Sequence, residues 1–251
     1  MGISGTLEQI LAELQEMSKD PATKARYEEW EKDLDAGRKN DLTRRSGIPR
    51  KFLMSNFSNF TVTAENRAAR CACWEYCENW DHDPTENRSL LLLGNIGTGK
   101  SHLAAAVCYK LIEDHLVRVK YANVLHTFTA IKMSFQSGKE SPRQQLYDTP
   151  FLVLDDLGSQ RPTDWATEEL LDIVNNRWAK ELPVMVTSNA NSWEGLLKLL
   201  TARNLSHADS YSQDTMQARR IVDRLRDMTG DPLVLGGKSW RGRKAGSTTT
   251  S

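Results

Sequence analysis

The sequence predicts an α/β fold, a parallel sheet covered by helices on both faces, preceded by a small helical arm. Three observations predict it. From about residue 50, short apolar runs alternate with helical stretches, the pattern of strand–helix–strand units whose crossovers cover both sheet faces. Residues 94–101 read G-x-x-x-x-G-K-S/T where one such strand gives way to a helix. Before residue 45, apolar side chains recur at helical spacing instead.

The chain has 251 residues, of which 39% are hydrophobic and 8% aromatic, enough to bury a core and to exclude wholesale disorder. Lys and Arg number 33, as do Asp and Glu, so any nucleic-acid contact falls to local patches rather than to overall charge. No apolar run approaches the ~20 residues of a membrane helix. Met1–Gly5 lacks the basic and then apolar start of a secretory signal, so a soluble, cytoplasmic protein without membrane contact is expected. Cys71, Cys73, Cys77 and Cys108 lack paired zinc-knuckle spacing, and buried thiols on a helix face are expected instead.

Residues 1–45 form the arm. Thr6 and Gln9 make a capping box, and Leu7, Ile10, Leu11, Leu14 and Met17 stripe one helix face. Asp20 and Pro21 end this helix and start the next, where Tyr27, Trp30 and Leu34 form a second stripe that ends at Gly37. Two such short helices are marginal alone, so their stripes pack on the body or on a partner. Arg38, Lys39, Arg44 and Arg45 read as a basic hinge before Ile48 and Pro49.

Residues 46–243 form the body. Ser89–Leu93 reads as a buried strand, and Lys100–Asp114 as a helix with Leu103, Val107 and Leu111 on one side. Val117, Val119 and Tyr121 alternate with Arg118 and Lys120, a strand with one polar face. Val124–Gln136 is helical, Phe151–Leu154 a buried strand, Ala166–Lys180 a helix and Pro183–Thr187 a strand. Ser192–Leu200 and Gln217–Met228 follow as helices, and Leu233–Leu235 as a last strand. Residues 244–251 are expected to be a disordered tail.

The chemistry starts at Gly94, Asn95, Ile96, Gly97, Thr98, Gly99, Lys100 and Ser101. Glycines let successive N–H groups curl around phosphate oxygens, and the following helix start adds orphan N–H donors and a positive dipole end. Lys100 reaches the β- and γ-phosphates and Ser101 offers a hydroxyl to Mg2+, which makes ATP with Mg2+ the expected ligand. Phe151–Leu154 ends in Asp155 and Asp156. Asp155 is placed on the metal, and Asp156 orients or deprotonates the attacking water. Asn189 closes another strand, where its amide holds that water or caps the next turn.

These residues resemble AAA+ ATPases, and within them the DnaC-type helicase loaders, with DnaI and IstB as related members. The likeness is carried by the phosphate loop, Leu-Asp-Asp-Leu-Gly at 154–158, Thr-Ser-Asn at 187–189, and Arg-Ile-Val-Asp-Arg-Leu-Arg at 220–226. Arg-Ser-Gly-Ile-Pro-Arg-Lys-Phe at 45–52 resembles the lead-in of those loaders, and the likeness covers roughly residues 44–243. It implies an AAA+ core without a C-terminal helical lid, weak ATP hydrolysis, and self-association through ATP sites. Arg224 matches the arginine finger supplied in trans, Arg241 a second sensing arginine, and Asn189 the first sensor. Without the resemblance, Arg224 reads as a helix salt bridge with Asp223 or Asp227. Lys132, Phe135 and Trp165 fall where loaders contact single-stranded DNA, although both aromatics equally suit a core. Asp156 stands where many AAA+ proteins carry Glu, and the residues after Asn204 look like a polar insertion. The function implied is ATP-dependent loading of a DnaB-type helicase through the arm. The rivals are an IstB-type transposition helper on duplex DNA and a nucleotide-gated binding module with little turnover.

Overall fold

The computed structural model describes residues 21–138, 141–201 and 213–240. The chain divides into two compact units, residues 1–41 and 42–251. Helix α1 (Pro21–Arg45) begins in the first. It runs through Gly37 to Arg45 rather than stopping at that glycine, while the expected break at Asp20 and Pro21 falls at the edge of the described residues. One glycine inside a helix costs only ~1 kcal/mol, less than the lost hydrogen bonds of a break would. The residues read as a basic hinge are therefore its last turns, where Arg44 and Arg45 meet the negative end of the helix dipole. Trp30 and Leu34 are exposed on it. The helix expected around Leu7–Met17 lies outside the described residues.

The second unit holds a five-stranded sheet in the order β2-β3-β4-β1-β5. Its strands are β1 (Leu90–Leu93), β2 (Val119–Asn123), β3 (Phe151–Leu157), β4 (Val184–Ser188) and β5 (Leu233–Val234), and every neighbouring pair is parallel. Strand side chains alternate between faces. Leu92, Val119, Tyr121, Val153 and Met185 point into one core, under α2 (Arg67–Glu78) and α3 (Lys100–His115). Leu91, Leu93, Leu152, Leu154 and Val186 point into the other. That second layer consists of α4 (Val124–Ser137), α5 (Arg143–Asp148), α6 (Asp164–Ala179), α7 (Trp193–Leu200) and α8 (Gln213–Thr229). A sheet covered on both faces needs unbroken apolar strands, which is why β1 is four leucines.

The starts of α4, α6 and α7 are set by side-chain caps: Asn123, Thr163 and Ser192 accept from the N–H groups of His126, Ala166 and Gly195. Helix α5 had no periodic signal in the sequence, because only Leu146 of its six residues is buried. Cys73, Cys77 and Cys108 are buried as expected, whereas Cys71 is exposed. Burial pushes all three inner thiols well above their ordinary pKa. No helix among the described residues is long and apolar enough to cross a membrane.

Arg177, near the end of α6, is wholly buried. Its guanidinium donates to the carbonyls of Leu146 (2.9 Å), Thr149 (3.0 Å), Pro150 (3.4 Å) and Pro183 (2.5 Å). One side chain thus ties the end of α5 to the entries of β3 and β4. Burial pulls its pKa down to about 9, which still leaves it charged at neutral pH. Arg177→Met strips those carbonyls of a donor and is expected to lower the unfolding free energy by about 3 kcal/mol in urea denaturation; a loss below ~0.5 kcal/mol would show that the carbonyls find other donors.

Candidate nucleotide-binding site

Gly97, Gly99, Lys100, Ser101, Asp155, Asp156 and Asn189 converge on a cleft of about 330 Å³ at the C-terminal ends of the strands, where open α/β sheets place their ligands. A larger groove of about 450 Å³ lies beside Ser89 and Leu182, at the opposite strand ends, and holds none of these groups.

The loop between β1 and α3 forms one wall. Gly94 has φ +146° and Gly99 φ +102°. A Cβ on Gly94 would sit 2.2 Å from the Leu235 carbonyl oxygen, and one on Gly99 2.8 Å from the Phe60 ring. Neither position admits a side chain. Lys100 opens α3 and is buried, with its ammonium donating to the carbonyls of Gly94 (2.7 Å) and Asn95 (2.8 Å). The lysine that would meet phosphate thus also laces the loop that cradles it.

The opposite wall is built by an irregularity in β3. Leu154 pairs with Val186 and Leu157 with Ser188, so β3 carries one residue more than β4 over this stretch, a bulge. Asp156 sits in it with φ +64°, an uncommon conformation for a residue other than glycine. In a regular strand Asp155 and Asp156 would face opposite sides. The bulge lets both line the cleft. Thr187 on β4 holds the pair in register: its hydroxyl donates to Asp155 Oδ1 (2.8 Å) and accepts from the Asp156 N–H (2.9 Å). The Asn189 amide donates to Asp156 Oδ1 (2.8 Å). Tyr121 is buried behind Ser101, and burial first, then the Asp155 carboxylate, push its phenol well above the ordinary range.

Lys100, Ser101, Asp155, Asp156 and Asn189 are therefore brought together. Among the described residues no three His, Cys, Asp or Glu side chains form a metal cluster. Ser101 and Asp155 in one cleft fit instead a Mg2+ that shares its shell with phosphates. The sequence reading missed Lys51, Phe52, His102 and Trp240, which also line the cleft. The Trp240 N–H donates to the Gly97 carbonyl (2.9 Å). Arg241 lies outside the described residues, as does most of the segment after Asn204.

The remaining candidates sit elsewhere. Arg224, on α8, does not line the cleft; its guanidinium lies 4.4 Å from the centre of the Trp178 ring. Lys132 lies 4.3 Å from the centre of the Trp165 ring, and half-buried Trp165 packs edge-on against Phe128. Phe135 is exposed rather than core, with the Arg143 guanidinium 4.8 Å from its ring centre. Thr187→Val leaves the Asp156 N–H unpaired and one Asp155 oxygen without its donor. It is expected to cost about 1–3 kcal/mol in chemical denaturation and to weaken Mg2+-dependent ATP binding in calorimetry; unchanged values in both would remove Thr187 from the site.

The model of the IstB-like ATP binding protein family matches residues 28–247. The uncharacterized protein YdaV of Escherichia coli K12 is 30% identical over 202 residues, 80% of this chain and 73% of that one. The replicative helicase loader DnaC of the same organism is 28% identical over 208 residues, 80% of this chain and 75% of DnaC. The crystal structure of DnaI matches with a TM-score of 0.63 at 23% identity, over 75% of this chain and 94% of that one. This likeness bears out the expected AAA+ P-loop fold. With the family model spanning most of its length, the chain belongs to the IstB-like ATP binding protein family.

Proposed function

We propose that this protein is an ATPase that loads a hexameric replicative helicase of the DnaB type onto single-stranded DNA in the cytoplasm. The observation that carries the reading is the convergence of Lys100, Ser101, Asp155, Asp156 and Asn189 on one cleft. Backbone N–H groups from Gly94 to Ser101 and the start of α3 bind the phosphates. Mg2+ between Ser101 and Asp155 would neutralise charge on the β- and γ-oxygens. The Asp156–Asn189 hydrogen bond supports a role for that pair in holding the attacking water. Arg224 does not line its own cleft and serves the ATP site of a neighbouring copy, where a planar guanidinium stabilises the transferring phosphoryl group. Arg241 acts as the second sensor.

The arm grips the helicase, and its exposed Trp30 and Leu34 support that assignment. Lys132, Phe135 and Trp165 contact the DNA; exposed Phe135 beside Arg143 has the aromatic-plus-cation character of a stacking platform. The similarity to DnaC favours a helicase partner. The family match also leaves an IstB-type transposition helper as the second reading, with duplex DNA as its substrate.

Native mass spectrometry of the chain mixed with hexameric helicases, with and without ATP, tests the proposal. A complex should form with the full chain and disappear on deletion of residues 1–41, while ATP binding persists. Capture of a transposase with no helicase complex would favour the second reading. Lys100→Ala should weaken ATP binding at least ~10-fold in calorimetry, as the site loses its phosphate-facing cation. Phe135→Ala should weaken single-stranded DNA binding by about 1–3 kcal/mol in fluorescence anisotropy; equal affinity would place the DNA elsewhere.

A further inference from the structure

Arg224 stands among acids without pairing to them. Together with Trp178, Arg220, Asp223 and Asp227 it bounds a shallow depression of about 260 Å³, away from the nucleotide cleft. Among the described residues it forms no ion pair, and its Nε has no hydrogen-bond partner. Its guanidinium lies instead over the indole of Trp178, 4.4 Å from the ring centre, well inside the range of a cation–π contact. The same indole donates its Nε1–H to Asp227 Oδ2 at 2.7 Å. One tryptophan therefore touches both the cation and the carboxylate that would otherwise compete for it. Trp178 is 42% exposed, so its ring is not there to fill a core.

We propose that Trp178 is the positioning residue for Arg224. This rests on the reading of Arg224 as a finger supplied to a neighbouring copy. An arginine on a free stem samples many rotamers, and a neighbouring Asp draws it into a bidentate pair that neutralises its fork. The indole removes both losses. Its face restricts the guanidinium to one side of α8, and its N–H occupies the Asp227 carboxylate. With Nε buried, the terminal N–H donors of the fork are the ones left for phosphate oxygens on the adjoining subunit. Trp178 touches no nucleotide; it acts through Arg224 alone.

The test separates donor from acceptor subunits of the full chain. Arg224→Ala keeps its own ATP site and lacks a finger; Lys100→Ala lacks a working site and keeps its finger. Mixed with single-stranded DNA and ATP, the two should recover turnover that neither shows alone. Trp178→Leu is then added to the Lys100→Ala donor, keeping apolar bulk without an aromatic face, and should cut the recovered kcat roughly tenfold, in line with the penalty for misplacing a catalytic group. Trp178→Phe in its place should give an intermediate loss of about threefold, because a face remains while the N–H that occupies Asp227 is gone. ATP affinity, measured in the Trp178 variants with Lys100 intact, should not move. Recovery with the Leu donor equal to that with intact Trp178, or equal loss with Leu and Phe, overturns the positioning role while leaving the finger in place. No recovery with the donor that keeps Trp178 overturns the finger reading itself, and the proposal with it.

Discussion

Two adjacent carboxylates on one strand have to serve one cleft, and a regular strand forbids it. The bulge in β3 resolves the conflict by inserting one residue between the Leu154 and Leu157 pairings and turning Asp156 into the left-handed region. Such a backbone persists only when its surroundings hold it. Thr187 does so from the next strand, accepting from the Asp156 N–H while donating to Asp155. Asn189, two residues further on, takes the freed Asp156 carboxylate. The placement of Asp155 and Asp156 thus depends on hydrogen bonds across one strand pair.

The phosphate loop is held in a comparable way, by segments remote in sequence. The Leu235 carbonyl crowds Gly94, the Phe60 ring crowds Gly99, and the Trp240 N–H binds the Gly97 carbonyl. Residues from before β1 and after β5 therefore close on the loop from outside the sheet. The Lys100 ammonium fastens it from inside. A loop fixed on both sides presents its N–H groups without having to be ordered by the ligand, which lowers the entropic cost of binding.

Groups outside the cleft divide by element. Helix α4 carries Lys132 and Phe135, while α8 carries Arg224. Both helices belong to the layer opposite α2 and α3, so this face bears the residues proposed to meet DNA and a neighbouring copy. On this face aromatic rings repeatedly meet cations: Trp165 with Lys132, Phe135 with Arg143, Trp178 with Arg224, Trp193 with Arg226. A ring contact fixes a long side chain without itself neutralising it; of these cations Arg143 also pairs with the Glu169 carboxylate.

The sequence by itself determined the strand–helix alternation, the phosphate loop and the acids at the end of β3, because each is a local pattern. A strand buried on both faces must be uniformly apolar, and a loop that wraps phosphate must place glycines where side chains would collide. Local patterns also misled: Gly37 read as a helix stop, although its penalty is small beside a continuous ladder of hydrogen bonds. Only the tertiary structure decided that Thr187 bridges two aspartates, that Arg177 clamps three element ends, and that Trp178 rather than Asp227 holds Arg224. Apart from the bond of Arg177 to nearby Pro183, these contacts join residues brought together by chain crossovers. Their hydrogen-bond partners stand 31 to 49 positions apart for the Thr187 and Trp178 bonds, a separation at which no periodicity in sequence records who meets whom.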